Sequence, residues 1–330
     1  MTLLFFEVLS AAIGLGLILK GSEWITDAVS TVARRLRTTN VAVGLLLVSL
    51  LLSLPELAVA VASVFKGHAG IGLGSSIGSV IVNLGLIIGI AAFLRPLRVP
   101  RHVVTRDGVF MLVATLIVAT VALGDLTVTR SDGIILLLLL VPYVVNVYAQ
   151  EKQLAAREQY QEAASISKSL ELTGKLGLGQ LQIRSGALIL AVGGLMLIAG
   201  AELFTNSLIS FASLFNISDL FIGLTIGALG PSIPNLAAAL QASRRGFDEL
   251  VVSEAIGSNI FTLLVTVGII ALLQPITIDA ATASVTTPAI IGITIVFFYF
   301  LFKGEFNRKA GVILLVSYLV VLAAEFLARS

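Results

Sequence analysis

Cysteine is absent from the 330 residues, which excludes disulfides, thiolate metal centres and cysteine nucleophiles. Histidine is nearly absent: His68 and His102 are the only two, both fall in expected connections between helices, and a histidine-based metal centre has no support. Charge is scarce too, at 12% Asp, Glu, Lys and Arg where soluble chains carry about 25%. What fills the space is apolar: 57% of the residues are hydrophobic and the mean hydropathy is +1.05. Apolar runs of spanning length recur from Leu3 to Leu327, leaving no stretch for a separate water-soluble core. The chain reads as an all-α integral membrane protein, and soluble enzyme classes are set aside. The pI near 9.0 reflects basic residues lining one side of a bilayer and not a nucleic-acid surface. Leu3 to Leu19 is short enough for a signal peptide, but no positive charge precedes it, Glu7 interrupts it, and it has a counterpart in the second half.

That counterpart belongs to an internal repeat. At an offset of 179 residues an ungapped match starts near Gly21 and persists to Pro96, pairing Gly21 with Gly200, Glu23 with Glu202, Ser53 with Ser232, Pro55 with Pro234, Gly78 with Gly257, Ser79 with Ser258 and Pro96 with Pro275. Each half reads as five helices, at about 2–33, 40–65, 70–94, 104–123 and 133–149, then 184–213, 218–243, 249–273, 281–302 and 309–327. The expected organisation is a first transmembrane repeat over 1–149, a polar linker over 150–183 and a second repeat over 184–330. An odd number of helices per repeat turns the second half upside down relative to the first. The charges agree independently: on this threading seventeen of the twenty-one Lys and Arg fall on one side, among them Arg95, Arg98, Arg101, Arg106, Arg244, Arg245, Lys303, Arg308 and Lys309, against Lys66, Arg130 and Arg329 on the other. Positive charge marks the cytoplasm. The expectation is a multi-pass cell-membrane protein with a cytoplasmic linker and both termini extracytoplasmic.

Polar residues in the middle of a span are costly and point to function. In Ser53-Leu54-Pro55-Glu56 the proline has no N–H for the carbonyl of Leu51, and Ser53 and Glu56 share a helix face. Pro231-Ser232-Ile233-Pro234-Asn235 repeats the device, releasing the carbonyls of Gly227 and Gly230. Two stripes at four-residue spacing stand opposite: Ser75, Ser79 and Asn83, and Glu254, Ser258 and Thr262. A midplane cage of hard oxygen donors follows, suited to alkali or alkaline-earth cations and not to zinc or copper. Prolines that merely kink helices and hydroxyls that merely satisfy carbonyls are the plainer alternative for one motif; four in register argue against it. Glu23, Asp27 and Glu202 read as structural or gating groups, and Glu7 and Glu325 as lying near the outer interface.

These motifs resemble the two alpha-repeats of the calcium/cation antiporter superfamily, most closely the prokaryotic sodium/calcium exchangers. Ser53-Leu54-Pro55-Glu56 is similar to the first core motif, Gly78-Ser79 through Asn83 to its partner element, and Gly257-Ser258-Asn259-Ile260-Phe261 to the second copy. The resemblance implies ten helices, alternating access, and calcium and sodium competing for sites built from the second, third, seventh and eighth of them. It places Ser53, Glu56, Ser79, Asn83, Ser232, Asn235, Ser258 and Thr262 at the ligand positions. This chain departs from the pattern: Leu51-Leu52 stands where Gly-Thr is usual, Pro231 replaces a Thr, Asn235 replaces the second repeat's glutamate, and Thr262 stands where some relatives have aspartate. The core keeps one carboxylate, and Glu254, one turn before Ser258, is the candidate for restoring the missing charge. The reading is an antiporter exchanging Ca2+ for Na+ or H+, with the lipid bilayer and small cations as partners and neither a cofactor, a nucleic acid nor a protein partner indicated. A monovalent cation/proton antiporter and a non-transporting cation-binding relative remain as alternatives. An intramembrane hydrolase using Ser53 or Ser232 lacks a base.

Overall fold

The computed structural model describes residues 2–35, 51–155 and 186–329. The expected start of the second helix and most of the expected linker lie outside the described residues. In chain order the helices are α1 Thr2–Arg35, α2 Leu54–Phe65, α3 Ala69–Leu94, α4 Val103–Gly124, α5 Arg130–Ala155, α6 Gly186–Phe215, α7 Asp219–Ile222, α8 Ile233–Arg245, α9 Asp248–Leu273, α10 Thr282–Phe302 and α11 Arg308–Arg329. Among the described residues, eight helices are long and apolar enough to cross a membrane. The span expected over 218–243 is not one continuous helix: after α7 comes a π-helical turn, Gly223–Gly227, and the chain breaks before α8.

Four two-residue strands, which the hydrophobic pattern does not announce, tie the helix ends together. β1 Leu97–Arg98 pairs antiparallel with β4 Glu305–Phe306, and β2 Thr127–Val128 with β3 Ile276–Thr277. The connections after α3 and α10 therefore share one end of the molecule, and those after α4 and α9 share the other. The first end holds Arg95 beside Asp248 and His102 against Glu249 at 2.8 Å; the hydrogen bond His102 makes to Glu249 raises its proton affinity above the ordinary imidazole value. We call it the basic end.

α1 and α6 cross antiparallel with their backbones in near contact. A Cβ on Gly14 would stand 2.9 Å from the carbonyl oxygen of Gly200, and one on Gly21 would stand 2.6 Å from that of Gly193. Only glycine permits such an approach in a membrane helix pair. Gly14 and Gly193 are themselves 179 residues apart, as are Gly21 and Gly200. Around this crossing Ile18, Phe204 and Leu208 form a small apolar cluster with Val59 and Ile71. A larger core, built mainly from α3, α4, α9, α10 and α11, surrounds the inner helices. α3 and α9 are the most buried of the spans, 78% and 83% against 44% or less for the rest. Polar side chains on them are thus shielded from lipid.

Candidate cation site

Both broken helices turn at serine. Ser53 and Ser232 sit just before α2 and α8 with nearly the same backbone angles, φ −90°, ψ 0° and φ −82°, ψ 0°. In each, proline at the second helical position removes one N–H, and the serine carbonyl accepts the first helical bond, from Leu57 at 3.1 Å and from Leu236 at 3.0 Å. The released carbonyls are not open ligands, contrary to the reading from sequence. Ser22 donates its hydroxyl to Leu51 at 3.2 Å, Ser75 donates to Gly227 at 2.8 Å, and the N–H of Ile233 meets Gly230 at 3.2 Å. A bilayer interior leaves no water to cap these oxygens, so neighbouring helices supply the donors.

The side chains converge. The Ser232 hydroxyl donates to Glu56 Oε1 at 3.2 Å and lies 3.4 Å from Ser79 Oγ. Asn235 Nδ2 reaches Glu56 Oε1 at 3.4 Å and Ser258 Oγ at 3.3 Å. Ser258 Oγ is also 2.9 Å from Ser53 Oγ and accepts from Asn83 Nδ2 at 3.4 Å. Seven of the nine expected residues, Ser53, Glu56, Ser79, Asn83, Ser232, Asn235 and Ser258, thus form one buried network drawn from both halves of the chain. Thr262 and Glu254 stand one turn to either side of Ser258 on α9, both buried and outside that network of bonds. Asn83 and Thr262 each lie in a π-helical turn, Val82–Ile87 and Thr262–Thr266. Such turns re-aim side chains and cluster at functional positions.

Five oxygens of these residues have no hydrogen-bond partner among the described residues: Glu56 Oε2, Asn83 Oδ1, Asn235 Oδ1, Thr262 Oγ1 and Glu254 Oε1. Buried acceptors left unpaired are expensive. The Nδ2 groups of Asn83 and Asn235 are spent on other oxygens, so acceptors outnumber donors among these residues. Among the described residues neither Glu56 nor Glu254 is paired with Lys, Arg or His. No group of three or more His, Cys, Asp or Glu occurs among the described residues. The donor set is therefore hydroxyl and amide oxygen with two carboxylates, which suits hard cations.

Two participants were not assigned as ligands from the sequence. Asn259 accepts from Asn83 Nδ2 at 2.8 Å and turns its own Nδ2 to Met111 Sδ at 3.7 Å. It lies within the Gly257-Ser258-Asn259 motif, the one signal that pointed to it; nothing marks Met111. The remaining carboxylates lie elsewhere. Glu23 pairs with Lys20 at 2.7 Å and Glu202 with Lys66 at 3.2 Å, whereas the side chain of Asp27 is outside the described residues. Glu325, near the end of α11, is 1% exposed and accepts from Arg329, which also bonds Asp279, Thr282 and Thr286. Outside the spans, Asp279 is held below the usual carboxylate range: partial burial works against this, but hydrogen bonds from Thr282 and the Arg329 charge outweigh it.

Comparison with known proteins agrees with this geometry. The family model described as sodium/calcium exchanger protein matches residues 6–149 and 185–327. The sodium/calcium exchanger MaX1 of Methanosarcina acetivorans is 28% identical, with 95% of this chain and 97% of the relative aligned. The inner membrane protein YrbG of Escherichia coli is 30% identical over 94% of each. Among solved structures, the sodium-calcium exchanger NCX_Mj with Na+ and Sr2+ superposes with a TM-score of 0.63 at 24% identity, covering 97% of this chain and 98% of the other, which establishes the shared fold. This chain belongs to the sodium/calcium exchanger family.

Proposed function

We propose that this cation antiporter exchanges Ca2+ for Na+ or H+ across the cell membrane by alternating access, through the oxygens of Ser53, Glu56, Ser79, Asn83, Ser232, Asn235, Ser258, Thr262 and Glu254. The architecture we assign to it is ten spans in two inverted five-helix repeats, over 1–149 and 184–330, joined by a cytoplasmic linker over 150–183, with both termini extracytoplasmic. Supporting the inversion are the antiparallel α1–α6 crossing at paired glycines and the two strand pairs, each joining one half to the other at opposite ends. In such a frame two helix breaks meet at the pseudo-two-fold axis, and small displacements of either half open the same oxygens to opposite sides.

The carrying observation is the buried network that joins Glu56 to Ser232 and Asn235 and through them to Ser79 and Ser258, with Glu56 Oε2 left without a partner. The carboxylate supplies charge, while serine and asparagine oxygens replace the ion's water. Glu56→Gln keeps the shape and removes the charge. In proteoliposomes it should abolish Ca2+ flux driven by a Na+ or H+ gradient, while the purified protein remains monodisperse. Wild-type flux in this variant would move the site elsewhere. A second reading, monovalent cation/proton exchange, is favoured by the neutral Asn235 and Thr262. Wild-type protein that exchanges Na+ for H+ and is indifferent to Ca2+ would establish it.

A further inference from the structure

α9 carries a longer polar ladder than its counterpart. Glu254, Ser258, Thr262 and Thr266 follow one another at four-residue spacing, and all four are buried. Each step rises about 6 Å along the helix. On α3 the equivalent positions are Ser75, Ser79, Asn83 and Ile87, so the ladder stops one rung earlier and carries no charge. α9 starts at Asp248, beside the main-chain N–H of Arg98 at the basic end. Glu254 is thus the rung nearest that end.

We propose that Glu254 forms a second cation subsite on the basic-end side of the central network, taken up by the ion when the site opens toward that end. This rests on the antiporter reading and deepens it. Glu254 is 6% exposed, and its Oε1 has no partner among the described residues. The position it occupies has a different job in the first repeat, where the Ser75 hydroxyl donates to the released carbonyl of Gly227. Glu254 makes no such cap with Oε1, which stands without a partner; a buried carboxyl oxygen on a ladder of hydroxyls fits a rung where a cation stands between oxygens. The chemistry also accounts for the loss at Asn235. A divalent ion facing Glu56 alone keeps uncompensated charge in a low-dielectric site, and Glu254 returns that charge about one helical turn away from Ser258. A ligand set of carboxylate plus hydroxyls selects Ca2+ or Na+ over softer metals.

The subsite predicts a sided phenotype. In vesicles whose orientation is read from a cysteine at Lys309→Cys, Glu254→Gln should raise the KM for Ca2+ at the basic-end face by about tenfold or more, and by a several-fold smaller factor at the other face. Gel filtration and Tm check folding; should Glu254→Gln not fold, Glu254→Ser, the first repeat's own solution, takes its place. Equal shifts at both faces, or none at either, would overturn the subsite while leaving the antiporter intact. Absence of gradient-driven Ca2+ flux in the wild type would instead sink the antiporter reading of Ca2+ exchange on which the subsite rests.

Discussion

Asn235 and Glu56 occupy equivalent positions in the two halves, yet one is neutral and the other is the network's charge. Asn235 Nδ2 spends its protons on Glu56 and Ser258, stabilising the carboxylate without an ion. Asn235→Glu exchanges that donor for a second acceptor and sets two carboxylates against each other. The empty protein should lose stability, and the Ca2+ complex should gain. At an effective dielectric of about 20, a carboxylate ~4 Å from a divalent ion contributes several kcal/mol before its own desolvation is subtracted. A net gain of about 1.4 kcal/mol would tighten Kd roughly tenfold, which calorimetry on wild type and variant measures. No tightening would mean that Glu254 already balances the ion. At this scale the sequence was informative for a physical reason: oxygen-bearing residues within spans are rare enough that their spacing identifies a face. It was misleading about the carbonyls of Leu51, Gly227 and Gly230, because their caps come from Ser22, Ser75 and a tightened turn at Ile233, and contacts between distant helices leave no local pattern. The burial of Glu325 with Arg329 against Thr282 and Thr286 escaped for the same reason, since the partner is visible one turn away but those contacts are not.

The eight long spans among the described residues were legible to within a turn or two at their ends, because twenty apolar residues between polar connections admit little else. The break between α7 and α8 was anticipated as released carbonyls within one span; that α3 passes close beside it was not. Gly78 is where that closeness is set. A Cβ there would come within 2.6 Å of both the Ala228 side chain and the Leu224 carbonyl, and the backbone oxygen cannot yield without moving the break. Gly78→Ala should cost about 1–3 kcal/mol, seen as a Tm lower by roughly 2–10 °C, and should slow flux because Ser79 is carried on the same turn. Gly292→Ala on α10 is the control, since nothing lies within 4 Å of the added carbon. Equal Tm values for the two variants would show that α3 does not need its glycine to approach the break. The short strands escaped the sequence reading altogether, two residues being too few to carry an alternation.

Inversion is a property of the whole molecule, and two independent signals bear on it. One is the bias of Lys and Arg toward alternate connections, written in the sequence; the other is the pairing of β1 with β4 and β2 with β3, which only the folded chain supplies. They make a joint prediction stronger than either alone. Because Arg98 and Glu305 are strand partners, Arg98 and Lys309 must lie on the same side of the membrane. Asp125 and Arg130, flanking β2, must lie together on the other. The chain has no cysteine, so single cysteines report without background. In intact cells an impermeant maleimide should label Asp125→Cys and Arg130→Cys and spare Arg98→Cys and Lys309→Cys, and permeabilisation should expose the latter pair. Labelling of all four from outside would contradict the inverted architecture. The reverse pattern would keep the inversion but place the basic end outside, making positive charge a poor guide to the orientation of this chain.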